Sequence, residues 1–303
     1  MLRFKVFVLS VTAALLLGAT GPTAVPEGRG FSSPQAAANA LVAAAKANDV
    51  HALVQILGPS STEIVSTKDT VEDRNLRRKF ANLAAEEMRI IASGNHPNER
   101  ILLAGKDEWP MPIPIVRVGD RWYFDTARGK QEILNRRIGS NELDAIEVCR
   151  GYVEAQNNHA ENNQTEDGVP YYAQKIISSP GKHDGLYWAG EGNSPMGKII
   201  ATAFAEGYTQ RGQPYHGYYF KVLKAQGPNA SGGERSYLTG DQMTKGFALI
   251  AWPANYGSTG VMTFLVDKTG IVYQKDLGRR TAAVASRYSV YDPDQTWKPV
   301  SEN

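Results

Sequence analysis

The chain is predicted to be an α+β protein, built as two halves in which helices come first and antiparallel strands follow. Three observations predict this. Apolar residues recur at helical spacing over 34–91 and again over 139–160. Short apolar or alternating runs, bounded by Gly, Pro and Asp, fill 100–125 and 218–275. At 303 residues, with 42% hydrophobic and 21% charged, the chain can bury one large core or two ordinary ones, which excludes global disorder.

The first residues are predicted to be an export signal. Arg3 and Lys5 precede an apolar run from Val6 to Ala19, too short for a membrane span of about 20 residues but right for a secretory segment. Cleavage is expected between residues 19 and 25, giving a signal of 1–24, a periplasmic or secreted product and no membrane span after its removal. The formal charge is +2, from 33 basic and 31 acidic residues; losing Arg3 and Lys5 brings it to zero. Bulk charge thus excludes a strongly basic nucleic-acid binder. Cys149 is the only cysteine, so no internal disulfide can form, and its place on a helical stripe reads as core packing.

The first half is expected over 31–137. Ser33-Pro34 opens a helix with a cap and a first-turn proline. Ala37, Leu41, Ala44 and Ala45 give it one small-residue face. Val50–Leu57 reads as a second helix closed by Gly58-Pro59, 60–70 as a loop or short strand, and Val71–Ile91 as a third helix with Leu76, Phe80, Leu83 and Met88 near one stripe. Strands are expected at Arg100–Ala104 and Arg121–Asp125. Pro112 and Pro114 confine the piece between them to an edge or a loop. This order of elements resembles the cone-shaped NTF2-like fold.

The second half is expected over 138–303. A helix over 139–160 is read with Asn141 as cap, Asp144 as its capping-box acid, and Leu143, Ile146, Cys149 and Val153 as its apolar stripe. Ser194-Pro195 opens another helix, with Ile199, Ile200, Ala203, Phe204 and Tyr208 as its buried face. Four mainly antiparallel strands follow: Tyr218–Leu223, Gly246–Trp252, Val261–Val266 and Ile271–Lys275. A short terminal helix is expected over Thr281–Tyr288. A long helix followed by this sheet resembles the globular head of pilin-like proteins, without their apolar assembly helix.

Four stretches carry a closer resemblance: Arg136–Leu143, Asp184–Trp188, Pro214–Tyr219 and Tyr256–Phe264. On these the chain resembles an uncharacterised family of secreted bacterial proteins catalogued as domain of unknown function 2950, over about Phe31–Trp297. The resemblance implies export and the domain span, and brings no activity, cofactor or catalytic residue.

Candidate chemistry is sparse. None of the five histidines pairs at metal-ligand spacing on one helix. His183, Asp184 and His216 could form a facial metal triad, or a base and its orienter, if the fold gathered them; otherwise they hold loops. No Gly-x-Ser-x-Gly elbow and no phosphate-binding loop is present. Gly257–Gly260 reads as a turn, and Asp267, Asp292 and Asp294 as turn formers. Aromatic side chains crowd the second half: Tyr187, Trp188, Tyr215, Tyr218, Tyr219 and Trp252 could line a groove for an envelope protein, a peptide or a glycan, or else form core. The expectation is an exported, non-catalytic binding or structural module with no cofactor and no nucleic-acid partner, and a His/Asp-based or metal-assisted hydrolase as the alternative.

Overall fold

The computed structural model of the protein describes residues 26–94, 96–188, 194–208 and 212–301; the expected signal segment lies outside them. The fold is α+β, with helices leading each half. Helix α1 spans Pro34–Lys46, and the Ser33 hydroxyl caps it by accepting from the Ala36 N–H. Asp49 does the same for α2 (Val50–Leu57). Residues 60–70 differ from expectation: a 3-10 turn at Pro59–Ser61 runs into a one-turn helix α3, Thr62–Val65, whose Ile64 and Val65 are buried. The Ser/Thr content that suggested a loop serves as turn chemistry here, the Ser61 and Thr62 hydroxyls donating to the Gly58 and Pro59 carbonyls.

Helix α4 runs Thr70–Glu86, capped by Asp69. It stops short of the expected Ile91, because Met88–Ser93 is strand β1, paired antiparallel with β2 (His96–Ala104). The buried stripe is also rotated from expectation. Val71, Ala81 and Ala84 are buried, whereas Leu76 is 41% exposed. Strands β3 (Trp109–Pro110), β4 (Ile115–Val118) and β5 (Arg121–Phe124) complete an antiparallel sheet of order β1-β2-β4-β5, with β3 on β2. Pro112 and Pro114 lie outside its ladders, as proline requires, and flank the fully buried Ile113.

The largest departure is α5. It spans Thr126–Asn162, capped by Asp125, so the boundary expected between residues 137 and 138 falls inside one helix. Leu134 packs in the first core with Leu41, Leu102 and Phe124, while Ala145, Cys149 and Tyr152 pack in the second with Phe247 and Phe264. Asn141 is therefore no cap. It sits in mid-helix at 1% exposure, its amide nitrogen donating to the Thr259 carbonyl. Leu143 leaves the predicted stripe and stands 67% exposed; the inward face runs through Ala145, Ile146, Cys149, Tyr152 and Val153 instead.

Helix α6 spans Gly197–Glu206, without a side-chain cap, so Ser194 does not open it as expected. Ala203 and Tyr208 are buried, but Phe204 is 42% exposed. The second sheet contains β6 (Tyr218–Leu223), β11 (Ala248–Pro253), β12 (Met262–Asp267), β13 (Tyr273–Asp276) and β14 (Lys298–Pro299) in the antiparallel order β14-β13-β12-β11-β6. The four expected strands are its first four in chain order. Between β6 and β11 lie two short ladders, β7 (Ala225–Gln226) with β8 (Arg235–Ser236) and β9 (Leu238–Thr239) with β10 (Gln242–Met243). Helix α7, Thr281–Ala285, follows β13. Gly257–Gly260 forms the predicted turn. It docks on the first half through the Ser258 hydroxyl, which donates to the Glu63 carbonyl. Asp267 and Asp294 accept hydrogen bonds from backbone two residues on, the turn-forming role expected of them, whereas Asp292 accepts instead from the Asn229 N–H, 63 positions away.

Candidate functional site

A cavity of about 420 Å³ opens in the first half. Its walls are Leu41 and Ala45 of α1, Leu53 and Leu57 of α2, Phe80 of α4 and Ile113 of the β3–β4 connection. Leu76 and Trp109, both partly exposed, lie on its solvent side. The volume falls in the range of roughly 300–1,000 Å³ that small-molecule pockets occupy. Leu41 and Ala45 are the α1 residues on it, in a helix whose inward face is otherwise mostly alanine.

The polar side chains of this cavity come from two helices. Glu72, Asp73 and Arg77 project from α4, and Arg136, Arg137 and Asn141 from α5. Arg137 and Arg77 staple the end of α3: Arg137 donates to the Glu63 and Ile64 carbonyls, Arg77 to that of Val65. Arg137 Nε and Asn141 Oδ1 are buried with no partner among the described residues. Burial lowers the pKa of Arg137, partly offset by Asp73 and Glu72. Asp73 is occupied by the Thr67 N–H and hydroxyl. The side chain of Glu72 makes no hydrogen bond or ion pair among the described residues. Burial, then the neighbouring Asp69, pushes its carboxyl up to about 7, and His216 and Arg137 pull against that rise.

Behind Glu72 lies a second polar cluster, which joins the two halves. The Asp69 carboxylate, 1% exposed, accepts from the Tyr208 hydroxyl and the Gly217 N–H at 2.9 Å each, besides capping α4 at the Glu72 N–H. His216 Nδ1 lies 2.7 Å from Asp144 of α5, and Nε2 lies 2.8 Å from Glu206 of α6. Burial alone would lower the His216 pKa; the hydrogen bonds to Asp144 and Glu206 overcome it and raise it to about 9. With a carboxylate at each nitrogen, the ring is an imidazolium donating both protons. Its backbone is held at φ 45°, a strained value for a non-glycine residue. The following Gly217, at φ 73°, has no room for a Cβ, which would stand 2.4 Å from Asn141 Nδ2.

The three sequence candidates for catalysis are not gathered into a metal triad. Asp184 is tied to Lys175 and to Ser179 in its own loop, the Lys175 bond foremost in holding its carboxyl far below the usual range. His183 stacks on Trp188 with centroids 4.3 Å apart, and His216 belongs to the cluster above. Among the described residues no three His, Cys, Asp or Glu side chains are arranged to hold a metal ion.

The aromatic candidates also separate. Tyr218 is wholly buried, its hydroxyl donating to the Met262 carbonyl, and is core. Tyr215 stacks on His216 at 4.2 Å. Tyr187 meets Phe204 edge-on, and Trp188 keeps a buried Nε1 with no partner among the described residues. Tyr219 and Trp252 pair across β6 and β11, on the opposite sheet face from Tyr218.

Sequence reasoning missed Glu72, Arg137, Asp69, Asp144 and Glu206. A signal existed for two of them, since Asp69 precedes a helix as a cap should and Asp144 sits on an inward turn of the best helix. Arg137 falls in the family-like stretch Arg136–Leu143, which assigns it no role, and for Glu72 none existed, because nothing local distinguishes it from a solvated charge on a helix face.

The family described as "Protein of unknown function (DUF2950)" matches residues 28–300. The chain belongs to that family, and the match covers nearly all of it. No curated protein matches the chain. No solved structure matches it either.

Proposed function

We propose that this member of the family is an exported, non-catalytic envelope module that binds a small apolar molecule in the cavity between α1, α2, α4 and the start of α5. The single observation that carries the reading is the cavity itself: about 420 Å³ of space walled by Leu, Ala, Phe and Ile side chains and reached past Leu76 and Trp109. A non-catalytic role agrees with the state of the candidate groups. His216 keeps both ring protons committed to carboxylates and so cannot serve as a base, and Asp184 is engaged by a lysine.

The test is titration of the purified protein with a neutral apolar fluorophore, N-phenyl-1-naphthylamine. Saturable, single-site enhancement is expected, and Ala45→Phe, which fills the cavity from α1, should abolish it while leaving the circular dichroism native. Enhancement that never saturates, or that survives the filled cavity, would refute the assignment. Export is checked by cell fractionation: envelope or medium location with residues 1–24 removed is expected, and a cytoplasmic chain retaining Met1 would sink that part.

A further inference from the structure

We infer that the ligand is a single-chain amphiphile with a carboxylate head, seated so that its head meets Arg137 and Glu72 while its apolar chain fills the Leu- and Ala-lined space. This rests on the cavity reading above and adds the head group and its control.

Charge complementarity selects an anion. Four cationic side chains, Arg77, Lys79, Arg136 and Arg137, line the cavity against only two carboxyls, Glu72 and Asp73. Asp73 is already consumed by Thr67. Arg136 is paired with Glu132 and lies over the Trp109 ring, so it holds the solvent side. Arg137 makes no ion pair among the described residues. It spends its terminal nitrogens on two backbone carbonyls and keeps a buried Nε with no hydrogen-bond partner among the described residues, a half-buried cation that Asp73 and Glu72 offset only from a distance. A cation left this way gains most from a carboxylate, which accepts charge-assisted hydrogen bonds.

Glu72 decides when that carboxylate can enter. Facing it are Asp69 and Asp73 from its own helix, Arg137 from α5, and His216 and Tyr208 from the segments around α6 and β6. Ionised, Glu72 is itself a counter-ion for Arg137 and repels a second carboxylate. Protonated, it donates its hydroxyl hydrogen to the incoming head and leaves Arg137 to that head alone. Ligand carboxylate and one proton therefore bind together. With a Glu72 pKa of about 7, a single linked proton predicts an affinity roughly tenfold higher at pH 6 than at pH 8.

The experiment uses cis-parinaric acid and its methyl ester as fluorescent probes, at pH 6 and pH 8, on the wild-type chain, Arg137→Met, Arg137→Lys and Glu72→Gln. The acid is expected to bind about tenfold tighter than the ester at pH 6 and to lose that margin by pH 8. Arg137→Met should weaken the acid about tenfold and leave the ester unchanged, with Arg137→Lys restoring part of the difference. Glu72→Gln, which leaves the α3 staple untouched, should hold acid affinity level between the two pH values. Equal affinity of acid and ester at pH 6 would overturn the inference, as would a pH dependence that survives Glu72→Gln. If neither acid nor ester binds while the neutral fluorophore does, the head-group assignment alone fails; if none of the three binds, the cavity reading fails with it.

Discussion

Replacing His216 by Gln should cost stability in a way that depends on pH, and the structure fixes both the sign and the window. The ring donates to Asp144 and Glu206, and its pKa rises from 6.5 to about 9. A group whose folded pKa lies above its unfolded value contributes stability that is complete below the unfolded pKa and lost as pH rises through the folded one. At about 1.36 kcal/mol per pKa unit, the rise corresponds to an upper bound of about 3 kcal/mol. The two carboxylates are 38% and 33% exposed, so solvent screening brings the expected value nearer 2 kcal/mol. Glutamine keeps the backbone in the same left-handed conformation and can still donate one hydrogen bond, so strain largely cancels and the charge term is isolated. Urea unfolding of both chains at intervals from pH 5.5 to pH 9.5 reads the difference. It should be about 2 kcal/mol below pH 6.5, fall steadily from about pH 6.5 upward, where the unfolded imidazole loses its proton and the folded one keeps it, and shrink to a few tenths by pH 9.5. A gap that stays constant over this range would refute the reasoning, since an uncharged His216 would then be the native species.

Two further predictions concern buried groups. Asp69→Ala removes the α4 cap and strands the Tyr208 hydroxyl and the Gly217 N–H, a loss of about 3–4 kcal/mol from one cap and two buried donors; a shift in the urea midpoint equivalent to under 1 kcal/mol would contradict it. Cys149 is fully buried, and burial pushes its thiol up to about 12, so an aromatic disulfide reagent should leave it unmodified in the native protein and titrate one thiol in urea; rapid native reaction would mean that this stretch of α5 is not packed as described.

What the sequence could convey follows from the range of each signal. Caps and turns are local, and Ser33, Gly58-Pro59 and the four long strands of the second sheet were legible within a residue or two. The unbroken α5 was not. Gly139-Ser140-Asn141 is written like a helix start, and a helix interior pays about 1 kcal/mol for a glycine. The cost is overridden from outside: Asn141 is gripped by Thr259, more than a hundred positions away, and Gly129 lets α5 press against the Ile113 backbone, where a Cβ would stand 2.5 Å off. Phe204 and Leu143 were misplaced for a related reason. Periodicity identifies a helix but does not say which neighbour will cover which stripe. The candidate site was the least legible. Arg137 and Glu72 become unusual only when two helices and the α3 turn remove their water.

The same helix explains why the cavity and the histidine cluster cannot be independent. Arg137, Asn141 and Asp144 follow one another at spacings of four and three along α5, so a single face of one rigid element presents a cavity cation, the amide that grips the second half, and the carboxylate that holds His216. On the other side Asp69 and Glu72 stand one turn apart at the start of α4, the first bonded to Tyr208 and Gly217 beside His216, the second facing Arg137. The charges of Arg137, Glu72, Asp69 and His216 therefore form one chain across the junction between the halves. A carboxylate entering at Arg137 stabilises the proton on Glu72, and a protonated Glu72 no longer supports the positive charge on His216. The proposed carboxylate would thus be felt electrostatically at the junction, where the strained backbone of His216 lies.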